Sequence, residues 1–368
     1  MSSLPGNVAV SVRRSLGPDT AEWDRLAASA PLPTPFLRSW WLAAMAGSNS
    51  RFVLVHDGTT LLGGIAVDET RRSGVTILRP LGAAGLAPDH LDVLTDPERE
   101  QEVVTALREW CTRPGSRLLD FPGVVEGSRL AEVAGARAES AVIEQAPWVA
   151  LPADFETFTR TTLPGIMRNS IRRSGNKLGR VGEVAFTPLT AADPRTPAVL
   201  ARLRELHAAQ FGADSGLIRE FDRFCAAVEP GLRSGELKVF PLFVGESIAA
   251  VDVAFSVAGR FSYYQGGRST APEHSGAGTV LMGRGVEWAC STGHTEVDFL
   301  RGEEPYKEQW SDRRRPVLRL RAGFGPAGLV AQRALQARED ERVRRYGRRV
   351  KAVLKRTSRT SPAETSAA

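Results

Sequence analysis

The sequence predicts an α/β (α+β) protein of two tandem domains, each a mixed, mainly antiparallel sheet flanked by helices, followed by a C-terminal basic helix. Three observations carry this. The chain has 368 residues, 42% hydrophobic and 24% charged, enough to bury two cores of ordinary size. One order of elements occurs twice: a strand, a short turn, a returning strand, a third strand, a helix and a last strand. Short stretches match between the two occurrences, in the same order. The expected domains are 1–150, 151–325 and a basic helical tail, 326–368, with a disordered end.

In the first half Val8–Val12 reads as a strand and Ala21–Ala28 as a helix. Pro31, Pro33 and Pro35 break the chain. Phe36, Leu37, Trp40, Trp41 and Ala44 then recur at helical spacing and should form a buried face. Arg51–His56 and Leu61–Val67 read as strands joined by Asp57-Gly58, and Val75–Pro80 as a third. Glu98–Cys111 is an amphipathic helix and Arg117–Phe121 a strand. In the second half Leu200–Phe211 and Phe221–Arg233 are helices. Leu237–Val244 and Ile248–Val257 are strands about a Gly245-Glu246 turn, and Phe261–Gly266 is the next. Thr279–Ser291 is a helix and Thr295–Leu300 a strand.

Ala87-Pro88-Asp89-His90 is echoed by Ala271-Pro272-Glu273-His274, Glu109-Trp110-Cys111 by Glu287-Trp288-Ala289-Cys290, and Asp120-Phe121 by Asp298-Phe299. Three matches in order, after matching hairpins, favour a duplicated unit. The copies part after the shared histidine. The second continues Ser275-Gly276-Ala277-Gly278-Thr279, the first Leu91-Asp92-Val93-Leu94. Only the second has the small residues a phosphate loop needs, while Asp89 and Asp92 would repel phosphate. The second half is expected to work and the first to support it.

Cys111, Cys225 and Cys290 are far apart and make no CxxC pair, so reduced, buried thiols are expected. His56, His90, His207, His274 and His294 show no metal-binding spacing, and no metal is expected. No apolar run approaches the roughly 20 residues of a membrane-spanning helix. Met1–Val10 lacks the pattern of a secretory signal, so a cytoplasmic location is expected. The net charge is +6, and most of the excess sits between Arg313 and Arg359. Such a segment suits phosphates, an anionic membrane face or RNA, or is simply a solvated helix. Nothing points to DNA.

A strand ending Gln265-Gly266-Gly267-Arg268 runs through a loop into a helix near Gly278. The glycines allow close backbone approach, and the helix start offers free N–H groups and a positive dipole end. A pyrophosphate fits there, helped by Arg268 and a hydroxyl from Ser275 or Thr279. GxGxxG and GxxxxGK[ST] are both missing, which disfavours dinucleotide-binding and P-loop folds.

These residues resemble the CelD/BcsL-type acetyltransferases of the GNAT superfamily, related in fold to the Fem-type transferases. The resemblance runs through Phe36-Leu37 to Trp41-Leu42, the basic run Arg168-Asn169-Ser170-Ile171-Arg172-Arg173, Ile248-Ala249-Ala250, Tyr264 and Ser275–Gly278. It ends at Val297–Lys307, the most specific stretch. The family often has Ser-Pro-Gly where this chain has Ser275-Gly276-Ala277-Gly278. The resemblance implies a tandem GNAT-like fold. It implies an acyl-CoA co-substrate, acetyl-CoA first, lying against Tyr264, Gln265, Gly266, Arg268, Ser275, Gly276, Ala277, Gly278 and Thr279. The acceptor would be an amine of a small molecule, sugar or peptide, in polysaccharide, cell-envelope or natural-product biosynthesis.

The chemistry needs a base for the amine, donors for the oxyanion and an acid or cation for the leaving thiolate. Asp298, Asp252 and Glu304 are candidate bases, and backbone N–H groups near Tyr263–Gln265 candidate oxyanion donors. Tyr306 and Lys307 sit in the right segment for the thiolate. Each has a bland reading: a strand cap, a solvent-facing acid, a core tyrosine, an ion pair. Arg160–Arg180 is basic, with no acid from Thr157 to Gly182, and Met167, Ile171 and Leu178 form its apolar stripe. Arg168 and Arg172 are expected at a rim for an anionic acceptor or the donor's phosphates, with Glu304 and Trp310 also near the acceptor. Two other functions stay open. One is a Fem-type aminoacyl transferase using charged tRNA. The other is a non-enzymatic scaffold whose helix Leu329–Lys355 lies on a membrane or partner.

Overall fold

The computed structural model describes residues 8–83, 85–302 and 304–339. The strands are β1 (Val8–Arg13), β2 (Ser50–Asp57), β3 (Thr60–Arg72), β4 (Val75–Pro80), β5 (Leu94–Thr95), β6 (Arg117–Val125), β7 (Glu139–Ala150), β8 (Val184–Phe186), β9 (Leu237–Val244), β10 (Ser247–Val257), β11 (Arg260–Arg268), β12 (Glu296–Asp298) and β13 (Arg313–Phe324). They make one 13-stranded sheet in the order β1-β2-β3-β4-β6-β13-β7-β12-β11-β10-β9-β8, with β5 paired to β3. The helices are α1 (Thr20–Ser29), α2 (Ser39–Met45), α3 (Glu100–Cys111), α4 (Leu130–Ala134), α5 (Phe155–Thr161), α6 (Gly165–Val181), α7 (Thr196–Phe211), α8 (Gly216–Arg219), α9 (Phe221–Arg233), α10 (Ala277–Ser291) and α11 (Pro305–Glu308). A further helix spans 325–339.

Each half builds one unit of the same plan. β1 to β4 are antiparallel neighbours, α3 follows, and β6 returns parallel to β4. β8 to β11 repeat this, α10 follows, and β12 returns parallel to β11. The last strands are exchanged. β7, which follows β6 in the chain, pairs with β12, while β13, which follows β12, pairs with β6. β7 and β13 also pair with each other, so the two units share one continuous sheet.

Three apolar clusters result. One fills the first half around Leu107, Trp110 and Phe121, and one the second around Phe240, Phe261 and Phe299. The third joins the halves: Phe36 and Trp41 from the first pack edge-on against Phe255 and Tyr264 from the second, at centroid separations of 5.4 to 5.8 Å. Each such pair adds about 0.5–1.5 kcal/mol beyond its buried area.

Three expectations need correcting. Phe36 and Leu37 are buried, but in a 3-10 turn, Pro35–Leu37, separated from α2 by an extended Arg38. The strand expected at Thr295–Leu300 spans only Glu296–Asp298. There the Asp298 carboxylate accepts the Leu300 N–H at 2.8 Å and Leu300 takes a positive φ of 52°, so the side chain turns the backbone out of the ladder. The basic run from Arg313 is not a tail at its start. Arg313–Phe324 is β13, and Arg315, Arg319 and Arg321 pair with Glu296, Asp298 and Asp120 of neighbouring strands. Residues 340–368, including most of the helix expected at Leu329–Lys355, lie outside the described residues. No helix among the described residues is long and apolar enough to cross a membrane.

Candidate active site

β11 and β12 pair only over Arg260–Ser262 and Glu296–Asp298. Beyond that point no strand among the described residues pairs with that edge of β11. A cavity of about 350 Å³ opens there, bounded by β10, β11, the start of α10, α7–α8 and the segment Phe299–Trp310. The first half closes one side of it with Gly85 and Ala87. Tyr264 fixes that wall by donating its hydroxyl to the Leu86 carbonyl at 2.7 Å. Arg301 fixes it again through an ion pair with Asp89 and a 2.6 Å bond to the Pro88 carbonyl. Asp89, which the sequence suggested would repel phosphate, thus holds the wall.

Asp252 on β10 lies in this cavity with 5% of its surface exposed. Burial raises its pKa to about 7, against the hydrogen bond it accepts from the Tyr263 hydroxyl and the nearby Arg268 charge. A carboxyl poised there changes protonation near neutrality, as a general base must. Gly266 makes the room: a Cβ there would sit 2.5 Å from the Asp252 carboxylate and 2.9 Å from the Tyr263 hydroxyl. The register of β10 against β11 slips between Val253 and Ala254, leaving Tyr264 without a partner opposite. Such a bulge re-aims backbone groups beside a site.

Tyr306 and Lys307 also line the cavity. Burial, with Glu304 and Asp252 nearby, raises the Tyr306 pKa well above the ordinary phenol range, so it stays a proton donor. Lys307 is buried, ion-paired to Glu304 at 2.9 Å and bonded to the Arg301 carbonyl at 2.8 Å. Gly302, with φ of 125°, keeps the space this pair needs. Glu304 and Trp310 are in the lining as well.

The phosphate-loop residues divide. Tyr264, Gln265, Gly266, Arg268, Gly278 and Thr279 line the cavity, whereas Ser275, Gly276 and Ala277 do not. Gly276 is the N-cap of α10 in a left-handed conformation, φ 93°, and Ser174 of α6 packs where its side chain would be. Ala277 is buried. Arg268 is exposed, makes no ion pair among the described residues, and lies across Gly278. The first N–H groups of α10 and this guanidinium therefore converge at the cavity mouth.

Three expected site residues lie elsewhere. Asp298 is fully buried outside the cavity. Burial would raise its pKa, but His90 at 2.9 Å, Arg260 and Arg315 at 3.1 Å hold it at about 2. It stays ionised and fully engaged, which suits a structural anion and not a base taking up protons near pH 7. Arg168 spends its guanidinium on the Thr159, Arg160 and Leu163 carbonyls, closing the end of α5. Arg172 bonds only Asn169 and does not reach the cavity. The sequence reading gave no role to His207, Phe299 or Arg301, all in the lining. His207 is buried and donates Nδ1–H to the Gly266 carbonyl at 2.9 Å, and burial lowers its pKa despite that bond, so it is a neutral imidazole. An apolar helix face with one histidine gives little signal. Phe299 and Arg301 could have been found by alternation after Asp298.

Residues 166–308 match the family described as acetyltransferase (GNAT) domain. That match places an acyltransferase domain on the part of the chain that carries the cavity. No curated protein matches the sequence. Among solved structures the fold is similar to FemX, at 10% identity and a TM-score of 0.60, over 82% of this chain and 95% of that one. It is also similar to the C-terminal domain of a protein described as a lysylphosphatidylglycerol synthetase from Agrobacterium fabrum, at 13% identity and TM-score 0.56, over 86% and 95%. L-PGS from Bacillus licheniformis follows at 14% identity and TM-score 0.51, over 77% and 86%.

Proposed function

We propose that this protein is an acyl-CoA-dependent N-acyltransferase, acetyl-CoA being the first donor to test, acting on an amine of a small molecule, sugar or peptide. The observation that carries the reading is Asp252: a buried carboxyl with a pKa of about 7, beside a cavity whose mouth gathers Arg268 and the start of α10. The acyl donor lies along the open edge of β11 with its pyrophosphate at the N-terminus of α10. The amine nitrogen attacks the thioester carbonyl and a C–N bond forms. Asp252 takes the ammonium proton, directly or through water. Backbone N–H groups at the β11 bulge near Tyr264 hold the oxyanion. The C–S bond then breaks and Tyr306 protonates the thiolate, with Lys307 and Glu304 fixing the segment that carries it. The working unit is 151–325 and its partner 1–150. Native mass spectrometry after incubation with mixed acyl-CoAs tests this. A retained acyl-CoA is the expected result, and no binding of any CoA species at millimolar concentration would overturn it.

A second reading has one observation in its favour. α6 carries Arg168, Arg172, Arg173, Lys177 and Arg180, none ion-paired to a carboxylate among the described residues. An aminoacyl-tRNA donor of the Fem type would meet such a surface, with affinity falling steeply with salt. Charged tRNA that neither binds at low salt nor supports transfer removes this reading. The cationic surface also leaves membrane contact open as a proposal, tested by vesicle sedimentation with anionic lipid.

A further inference from the structure

The cations of α6 do not all face the same way. Ser174 packs on Gly276 at the start of α10, and Lys177 donates to the Pro272 carbonyl at 2.8 Å, so this side of α6 lies along the loop 271–276. Arg173, Lys177 and Arg180 follow at i, i+4 and i+7, the spacing of one helix flank. That flank borders the loop. Arg168 and Arg172 fall on the other flank, and Arg168 is already spent on carbonyls. Arg173 and Arg180 are exposed and have no hydrogen-bond or ion-pair partner among the described residues. Along the helix no acid occurs between Thr157 and Gly182; Glu183 follows it and Glu273 sits on the bordering loop, and neither is ion-paired to these arginines among the described residues.

Arg173 and Arg180 stand two turns apart with Lys177 between them, and an anion bound along this flank offsets the repulsion among the three cations. We propose that Arg173, Lys177 and Arg180 form a phosphate subsite for the nucleotide end of the donor, separate from the pyrophosphate position at α10. The ligand is a phosphate ester at the far end of the carrier. A coenzyme's ribose phosphate and the backbone of an RNA 3′ end are the two sources of that chemistry. The subsite rests on the donor reading above. It assigns the donor to a flank of α6, not to the Arg168 and Arg172 positions that the sequence suggested.

The test is calorimetric titration of the full chain with CoA, with dephospho-CoA and with an uncharged RNA hairpin ending in CCA. The wild type is compared with an Arg173→Ala, Arg180→Ala double variant, which leaves Lys177 and its loop contact in place. Each charged hydrogen bond is worth enough that CoA should bind the wild type about ten-fold more tightly than dephospho-CoA. The double variant should bind the two alike, with an unchanged thermal midpoint because both positions are exposed. If RNA is the source, the hairpin weakens in the double variant and neither coenzyme binds. Equal binding of CoA and dephospho-CoA by the wild type, with RNA unaffected by the substitutions, overturns the subsite and leaves the donor reading standing. A wild type that binds neither coenzyme form removes the coenzyme reading itself.

Discussion

The two halves share one plan and differ in what fills the gap where the parallel strands part. In the first half, β4 and β6 pair over Thr76–Leu78 and Arg117–Leu119, then diverge. The chain's own loop enters that gap. Leu91 bridges Val124 in parallel, its N–H donating to the Gly123 carbonyl at 2.8 Å and its carbonyl accepting from Val125 at 3.2 Å. Asp92 follows and binds Ser128 and the Leu130 N–H, tying the loop to the start of α4. In the second half the gap between β11 and β12 stays open and is the cavity. There the loop has Gly276 where the first has Asp92, and it leads into α10. One loop closes its own unit, and the other leaves room for a ligand.

The comparison also sorts the acids. Asp120 and Asp298 occupy matching sequence positions on β6 and β12, and both are buried against arginines of β13: Arg319 and Arg321 for Asp120, Arg315 for Asp298. An aspartate present in the half without the active-site cavity is explained by the sheet. Asp252 has the opposite environment, with a pKa pushed up instead of down.

The largest effect should come from breaking that opposition at Asp252. Asp252→Asn is expected to lower turnover by about 10²–10⁴-fold. In the wild type, rate should rise with pH through about 7 as the carboxylate forms. The sign for stability is the reverse. A carboxyl whose pKa is raised on folding is tolerated below its unfolded value and becomes destabilising as pH rises through its folded value. Between about pH 4 and pH 8 the stability of the wild type relative to Asp252→Asn should therefore fall, by roughly 4 kcal/mol in all, checked by denaturant titration of both at those two pH values.

Asp298→Asn and Asp120→Asn should each cost about 1.5–3 kcal/mol, because each removes charged hydrogen bonds from a buried network in which Arg260 and Arg315 keep Glu296, and Arg319 and Arg321 keep Glu339. For Asp298, whose pKa is depressed on folding, the contribution is present above about pH 4 and lost as pH falls toward 2. Should Asp298→Asn lose turnover with stability intact, its structural assignment falls. Next, Gly276→Asp gives the second loop the acid the first carries. Donor affinity should drop by more than about ten-fold through repulsion, beyond what Gly276→Ala loses to the Ser174 contact alone, read by calorimetry. The smallest effect is expected from Arg268→Ala, about five- to ten-fold in donor affinity with turnover at saturation unchanged.

The halves' repetition was legible because local signals made it so: hairpin turns at Asp57-Gly58 and Gly245-Glu246, and the apolar runs of β9 and β10 on either side of the second turn. The exchanged strands were not legible. β7 is half exposed and mixed in composition, and β13 opens Arg313-Arg314-Arg315, which reads as a solvated tail until Glu296 and Asp298 are seen beside it. Asp252 sits between Val251 and Val253, and alternation alone points it to solvent. It is buried because helices cover both faces of β10. Asp298 was favoured by position, and only its partners, His90 from the other half among them, show it to be engaged. Tyr306, Lys307, Glu304 and Trp310 were found through one contiguous segment, which a sequence displays well.

The exchange of β7 and β13 sets a schedule for synthesis. β6 is complete at Val125, yet its partner begins at Arg313. At 5–20 residues per second, the nascent first half waits roughly 10–40 s with that edge unsatisfied. An open strand edge is a template for wrong pairing. The second half cannot be made alone either, since β12 takes its neighbour from Trp148–Ala150. Neither unit is a finished product until β13 has left the ribosome.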